Sequence, residues 1–339
     1  MEVAVTVIVT GADGFIGGAW CAHARAAGRP LRRWVHAAGA PQATDALANG
    51  SIGSPGVTAT IDLETATHDA LVAALAGARA VVHLAGRAHV VDRPDRDGAD
   101  RSSPDSVMRG PNVETTTRLA RAAVQAGAER FVFASSIKVH GESTVRGRPF
   151  RSDDRPAPED AYARSKVAAE AALIGAAAGT SMQPVILRLP MVYGRGAKGN
   201  FGRLVEAVAR GRWLPLASID NRRSLLSLSN LLEALDAALD APAAAPQRHL
   251  VADADSVSTP QLVRAIAGAL DVGARLLPCP VALLRLIGTA TNRAGAVARL
   301  TNSLEADTTS FTAWTGWRAR PFAIDRAVVG EGGRVQSSR

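Results

Sequence analysis

The run VAVTVIVTGADGFIGGAWCAHARAAG, residues 3–28, decides the fold. Its opening, VAVTVIV (3–9), is short, apolar and β-branched, the signature of a strand buried on both faces. Its close, FIGGAWCAHARAAG (15–28), is a helix pattern ending on Gly28. Between them stands TGADGFIG, Thr10–Gly17, with glycines spaced G-x-x-G-x-x-G. Glycine at such a junction lets the backbone turn tightly and approach a pyrophosphate, which then sits on the helix N-terminus. A glycine triplet alone is weak evidence, but a strand before it and a helix after it supply the context. Gly11, Gly14 and Gly17, with Asp13, Phe15 and Ile16 of the same loop, are therefore candidate cofactor contacts.

Outward from this unit the pattern repeats. Strands are predicted at 30–37, 57–62, 78–86, 130–136 and 183–190, and helices at 68–77, 112–127 and 161–179. Strands alternating with helices of this length predict parallel βαβ units with helices on both faces, an α/β doubly wound parallel sheet. Its ligand lies beyond the C-terminal ends of the strands. The second half is mixed: a helix near 200–211, a strand and helix near 224–240, a linker APAAAP (241–246), and helices at 259–270 and 280–300. The expected division is a dinucleotide-binding domain over 1–178 and a smaller mixed substrate domain over 179–330, with segments near 183–190 and 224–240 returning to the first. The charged stretch 91–110 reads as a long loop, a candidate lid. The tail 331–339 reads as disordered.

Composition narrows the function. The chain has 339 residues, of which 47% are hydrophobic and 21% charged, excluding a disordered chain. Two cysteines make neither a disulfide framework nor a metal cluster. The N-terminus reads as a strand and not a signal peptide, and no apolar run reaches the ~18 residues of a membrane span. A cytoplasmic protein with no membrane insertion is expected. The net charge of +8 is scattered, with few aromatics among the cations. That argues against nucleic acid and for a small anionic ligand.

Rare residues mark the chemistry. Only three of the 39 cations are lysines, Lys138, Lys166 and Lys198, and only two tyrosines occur, Tyr162 and Tyr193. Lysine and arginine are not interchangeable, so the lysines stand where a compact ammonium is wanted. Tyr162 and Lys166 are four apart at the start of a predicted helix and share one face. A phenol with a pKa near ~10 is a poor base at neutral pH, and a neighbouring ammonium lowers it. In contrast, the acid that would hold the ribose 2′-hydroxyl of NAD is missing from the second strand. Arg32, Arg33 and His36 near its end leave NADP open beside NAD, with a slight lean to NADP.

These motifs resemble an extended short-chain dehydrogenase/reductase, Rossmann-like in fold, of the NAD(P)-dependent epimerase/dehydratase family acting on nucleotide sugars. TGADGFIG, Asp62-Leu63, HLAG (83–86), Asn112, Ser135-Ser136, YARSK (162–166) and RLPMVYG (188–194) come in family order over about residues 3–240. The resemblance implies that Ser136 hydrogen-bonds the sugar oxygen, Tyr162 transfers the proton, Lys166 tunes Tyr162, and the nicotinamide exchanges hydride at C4. It also implies cofactor contacts at Asp62, Leu63, Leu84, Ala85, Gly86, Asn112, Ser135 and Leu189. Substrate contacts follow at Tyr193, Asn200 and Arg223, the last two on the UDP diphosphate. Relatives often form homodimers through the helices near 112–127 and 161–179.

Within that family, sugar 4,6-dehydratases carry an Asp–Glu pair after the catalytic hydroxyl, where this chain has Ile137-Lys138. Isoleucine moves no proton, so C4 chemistry remains. The readings are reduction of a UDP-4-keto-6-deoxy-N-acetylhexosamine for surface polysaccharide, UDP-glucose or UDP-N-acetylglucosamine 4-epimerisation, or a non-catalytic NADP-binding scaffold. Strand alternation places Lys138 on the side of Ser136, toward the sugar or as a solvated strand-end lysine. The pattern at 280–300 reads as a helix packed on the core rather than docked on a membrane.

Overall fold

The computed structural model describes residues 6–35, 58–87, 103–243 and 247–330. Ten strands are present among these described residues: β1 (Val7–Thr10), β2 (Leu31–Val35), β3 (Thr58–Thr60), β4 (Ala80–His83), β5 (Arg130–Ser136), β6 (Gln183–Leu189), β7 (Met191–Tyr193), β8 (Arg223–Ser227), β9 (Gln247–Leu250) and β10 (Ser256–Val257). Seven pair in the order β3-β2-β1-β4-β5-β6-β9, every pair parallel. This is the doubly wound sheet expected from the alternation.

Side-chain alternation along the strands builds two cores. On one face Ile8, Val81, Phe131, Phe133 and Ile186 pack against Leu71, Leu119 and Leu173, from the helices His68–Leu75, Thr115–Gln125 and Ala161–Ala177. On the other, Val7, Val9, Val82, Val132 and Leu187 meet Trp20 of the helix Phe15–Ala26, and Leu231 and Leu235 of the helix Leu228–Asp240. Each fully buried aliphatic side chain contributes about 1.5–3 kcal/mol, so both faces need their helices. Strand order reverses between β1 and β4, and the crevice opens over their C-terminal ends. The chain leaves β6 at Leu189 and enters the smaller sheet, β10-β8-β7, at Met191. The second unit therefore grows from the same end of the main sheet as the crevice. Its core holds Tyr193, Phe201, Leu225, Val263 and Ile266.

Several expectations change. The strand near 224 belongs to the small sheet, while the helix after it covers the large one. Strand β9, not anticipated, completes the large sheet beside β6. Residues Pro104–Met108 are helical and Arg109–Glu114 form a π-helix leading into Thr115–Gln125, so the end of the expected loop 91–110 is ordered. Pro111 lies in that wide turn, where its missing N–H disrupts the regular α ladder. The expected helix 280–300 is two, Val281–Ala290 and Ala294–Thr301, broken where Asn292 takes φ 54°. His36, most of the loop at 91–102 and the tail 331–339 lie outside the described residues.

Candidate active site

The glycine loop has the shape its sequence asks for. Gly11 adopts φ 70°, and a Cβ there would stand 2.8 Å from the Ala85 nitrogen. A Cβ on Gly17 would stand 2.0 Å from the Gly11 carbonyl oxygen, so only glycine allows the loop to fold onto the helix. The helix begins at Phe15 with Gly14 as its cap and no side chain bound to its first-turn amides. A cradle of bare backbone leading to a helix N-terminus fits a dinucleotide pyrophosphate. Across the crevice Gly86 is equally confined: a Cβ would meet Asn112 Oδ1 at 3.0 Å and Lys166 Nζ at 3.5 Å.

Asn112 sits in the π-helix, the usual mark of a locally adapted site. Its Oδ1 accepts from the Arg87 N–H at 2.8 Å, and its Nδ2 donates to the Arg87 carbonyl at 3.0 Å and Ser165 Oγ at 2.9 Å. Thus Asn112 ties the β4 loop to the helix carrying Tyr162 and Lys166. His83, at the end of β4, is a residue the sequence reading passed over. It lies between Thr10 Oγ1 at 2.6 Å and Thr116 Oγ1 at 3.1 Å, and packs on Phe131 and Phe133. Burial, and then the charge of Lys166, pull its pKa down to about 3. A neutral imidazole thereby fastens the glycine loop to the sheet.

Ser136 closes β5, and its hydroxyl lies close enough to Tyr162 to favour the phenolate. Tyr162 is the second residue of the helix Ala161–Ala177, whose cap is Asp160: its carboxylate accepts from the Ala163 N–H at 2.7 Å. Lys166, one turn on, is buried, with Nζ donating to the Ala134 carbonyl at 2.9 Å and 4.5 Å from the centre of the Phe133 ring. The three side chains foreseen as catalytic are thus brought together. Their electrostatics differ from expectation. Burial pushes the Tyr162 phenol up to about 12; the Ser136 hydrogen bond opposes this, and the Asp160 charge adds to it. Lys166 stands 5.9 Å from the Tyr162 ring centre and is itself pulled down to about 8 by burial, with Glu170 opposing. The expected lowering of Tyr162 by Lys166 is absent from this balance.

Lys138 is half-buried and ion-paired. Its Nζ pairs with Asp160 at 2.5 Å and Glu142 at 2.5 Å. Burial lowers its pKa, but the two carboxylates outweigh burial and leave it raised. Lys138 therefore braces the turn after β5 against the cap of the tyrosine helix, and its backbone N–H donates to Ser136 Oγ at 3.3 Å. Ile137 is buried against Leu250 and Leu304.

Other foreseen contacts separate. Ser135 faces the opposite side of β5, donating to Glu170 Oε1 at 2.5 Å, so its hydroxyl is not turned to a cofactor. Tyr193 is fully buried between Phe201 and Phe322, its hydroxyl donating to Asp253 at 2.7 Å, and it is a strut of the second core. Asn200 is exposed near the start of the helix Gly199–Ala209, where it accepts from Arg203 at 2.8 Å. Arg223 donates to the Asn302 carbonyl at 3.0 Å; burial pulls its pKa down to about 10 against the charge of Glu142. Arg32 and Arg33 divide by strand alternation. The first donates to the Ala74 and Ala76 carbonyls, and the second to the Ala12 carbonyl at 3.2 Å. Among the described residues Arg33 Nε is buried without a partner beside the glycine loop. Asp62 caps its own turn by accepting from the Glu64 N–H, Leu63 is buried in the first core, and Leu84 and Leu189 flank the second.

The chain also matches known proteins. The family model described as "NAD dependent epimerase/dehydratase family" matches residues 7–252. The chain is 41% identical to a UDP-glucose 4-epimerase of Vibrio cholerae over 239 residues, 70% of this chain and 71% of that one. Among solved structures it resembles MoeE5 in complex with UDP-glucuronic acid and NAD, at TM-score 0.69, 25% identity and 96% of each chain. A UDP-N-acetylglucosamine 4-epimerase from Bacillus cereus shares the fold at TM-score 0.72 and 18% identity, over 97% of this chain and 95% of that one. With its glycine cradle, buried lysine and strand-end serine, the chain belongs to the NAD-dependent epimerase/dehydratase family.

Proposed function

We propose that this protein is a UDP-hexose 4-epimerase, exchanging the configuration at sugar C4. The observation that carries this reading is the convergence of Ser136, Tyr162 and Lys166 at the end of β5, with no carboxylate at the next two positions. Buried Ile137 and ion-paired Lys138 supply neither the acid nor the base that removal of water across C5 and C6 requires. The similarity to a UDP-glucose 4-epimerase supports the same reading.

The chain's own residues divide the work. Ser136 Oγ orients the O4 hydroxyl and relays its proton to the Tyr162 phenolate oxygen. Lys166 holds the ribose hydroxyls, and its short link to the Ala134 carbonyl keeps the ammonium beneath the ring. The glycine cradle, Gly86 and Asn112 hold the dinucleotide, which when bound accepts and returns the hydride at C4. Burial holds the Tyr162 phenol high, so its ionisation would need a positive charge near the oxygen, which a bound oxidised cofactor would supply. NAD is the proposed cofactor, since Arg33 is turned into the loop backbone rather than toward a 2′-phosphate, and MoeE5 was solved with NAD.

The test is to incubate the purified protein with UDP-glucose or UDP-N-acetylglucosamine and separate the C4 epimers. Interconversion without net cofactor consumption is expected. Stoichiometric oxidation of NADPH or NADH by UDP-4-keto-6-deoxy-N-acetylglucosamine, with no interconversion, would assign net reduction instead.

A further inference from the structure

The helix Val281–Ala290 is apolar on two sides. Val281 and Leu284 pack on the second core. Gly288 on the same side is buried so closely that a Cβ would stand 2.7 Å from Val297 Cγ2 of the helix Ala294–Thr301. The opposite side carries Leu283, Leu286 and Ile287 at the i, i+3, i+4 spacing of a helix face. These are 45%, 67% and 49% exposed. Nearby, Leu277 is 43% and Trp213 60% exposed. The Leu277 N–H donates to the Leu214 carbonyl at 2.9 Å, and the Arg275 guanidinium lies 5.7 Å from the Trp213 ring centre. Six of the seven large apolar side chains exposed among the described residues fall at Trp213 or between Val272 and Ile287.

Charge says what covers this face. The chain has 31 acidic residues, yet none between Val272 and Leu304; Arg275 lies beside Trp213 at the edge of the face and Arg293 follows the helix, while Arg285, on the Val281 and Gly288 side, is bonded to Asn302. An anionic lipid surface accepts both components: aliphatic side chains enter the headgroup boundary while long arginine stems reach the phosphates. Trp213 suits the same depth, its ring apolar and its indole N–H wet. No helix among the described residues is long and apolar enough to cross a membrane, so the contact is peripheral.

We propose that the face formed by Leu283, Leu286 and Ile287, with Leu277 and Trp213 beside it, docks this protein on an anionic bilayer. The C-terminal unit then lies against the membrane. The expected packing of 280–300 on the core is made by Val281 and Leu284 of its first helix.

The test is co-sedimentation of the full chain with phosphatidylglycerol-rich vesicles and with pure phosphatidylcholine vesicles. Binding to the first and little to the second is expected, weakened at about 0.5 M salt by screening. The triple variant L283Q/L286Q/I287Q should bind at least about ten-fold more weakly, and R275Q/R293Q weaker by a similar factor. Both should keep the wild-type melting temperature. Should the triple variant fold poorly, Leu286→Glu alone, at the most exposed position, must show the same loss. Equal sedimentation with both lipids, or variants that bind like wild type, would overturn the proposal. So would a wild-type dimer that the triple variant converts to monomer without any lipid binding, since the face would then belong to a second copy.

Discussion

Two levels of one helix face make opposite use of charge. Tyr162, Lys166 and Glu170 follow at four-residue spacing along the helix Ala161–Ala177. At the upper level Tyr162 and Lys166 meet Ser136 with no acid bonded to the ammonium, and burial moves both away from their ordinary values, to about 12 and about 8. One turn lower Glu170 forms a two-pronged pair with Arg188, at 3.1 and 2.7 Å, and also accepts from Ser135. Arg188 further reaches His140 at 2.9 Å and the Ser152 carbonyl at 2.9 Å. The lower level is compensated charge by charge, and it joins β5, β6, the helix and the segment beyond β5. The upper level is left uncompensated, which is what a proton-transfer site needs. Adjacent serines, 135 and 136, serve one level each because strand alternation points them apart.

The sharpest way to break this contrast is Glu170→Gln. It leaves the Arg188 guanidinium buried and unpaired and should cost about 3–5 kcal/mol in urea unfolding. A loss within the range of ordinary surface changes would remove the distinction between the levels. A smaller effect comes with acid. His83, His140 and His249 are held neutral by burial, with pKa values pulled down to about 3, 4 and 4. A depressed histidine pKa means that the unfolded chain takes up protons first. Stability should therefore fall as pH drops below the ordinary value near ~6.5, by up to about 1.4 kcal/mol per pH unit for each histidine. The unfolding midpoint measured from pH 7 to pH 4.5 reads this slope, and His83→Gln should flatten it; an unchanged slope would show that His83 is not the buried neutral base described.

The legible part of the molecule was the part governed by short-range pattern. Apolar runs separated by helical stretches specified the parallel sheet, and TGADGFIG specified a bend whose glycines admit no Cβ. The rarity of lysine and tyrosine pointed to Tyr162 and Lys166. What escaped depends on partners distant in sequence. Lys138 reads as a solvated or sugar-facing cation until Asp160, 22 residues away, proves to be its counter-ion. Tyr193 reads as a substrate contact until Asp253 claims its hydroxyl. Glu170 and Arg188 carry no local signal, and their pairing emerges only when β6 and the helix pack together. The helix at Val281–Ala290 carries two apolar stripes that look alike in sequence, and only packing shows that Val281 and Leu284 have a partner while Leu283, Leu286 and Ile287 are exposed.

The central claim is that the upper level performs proton transfer at C4 and contributes little to holding the fold. Tyr162→Phe in the UDP-hexose interconversion assay tests it most directly. Turnover should fall by about 10²–10⁴-fold, the usual contribution of a positioned acid–base group, while NAD binding and the urea midpoint stay near wild type. Undiminished turnover would contradict the account, and so would a loss of activity that merely follows a loss of folding.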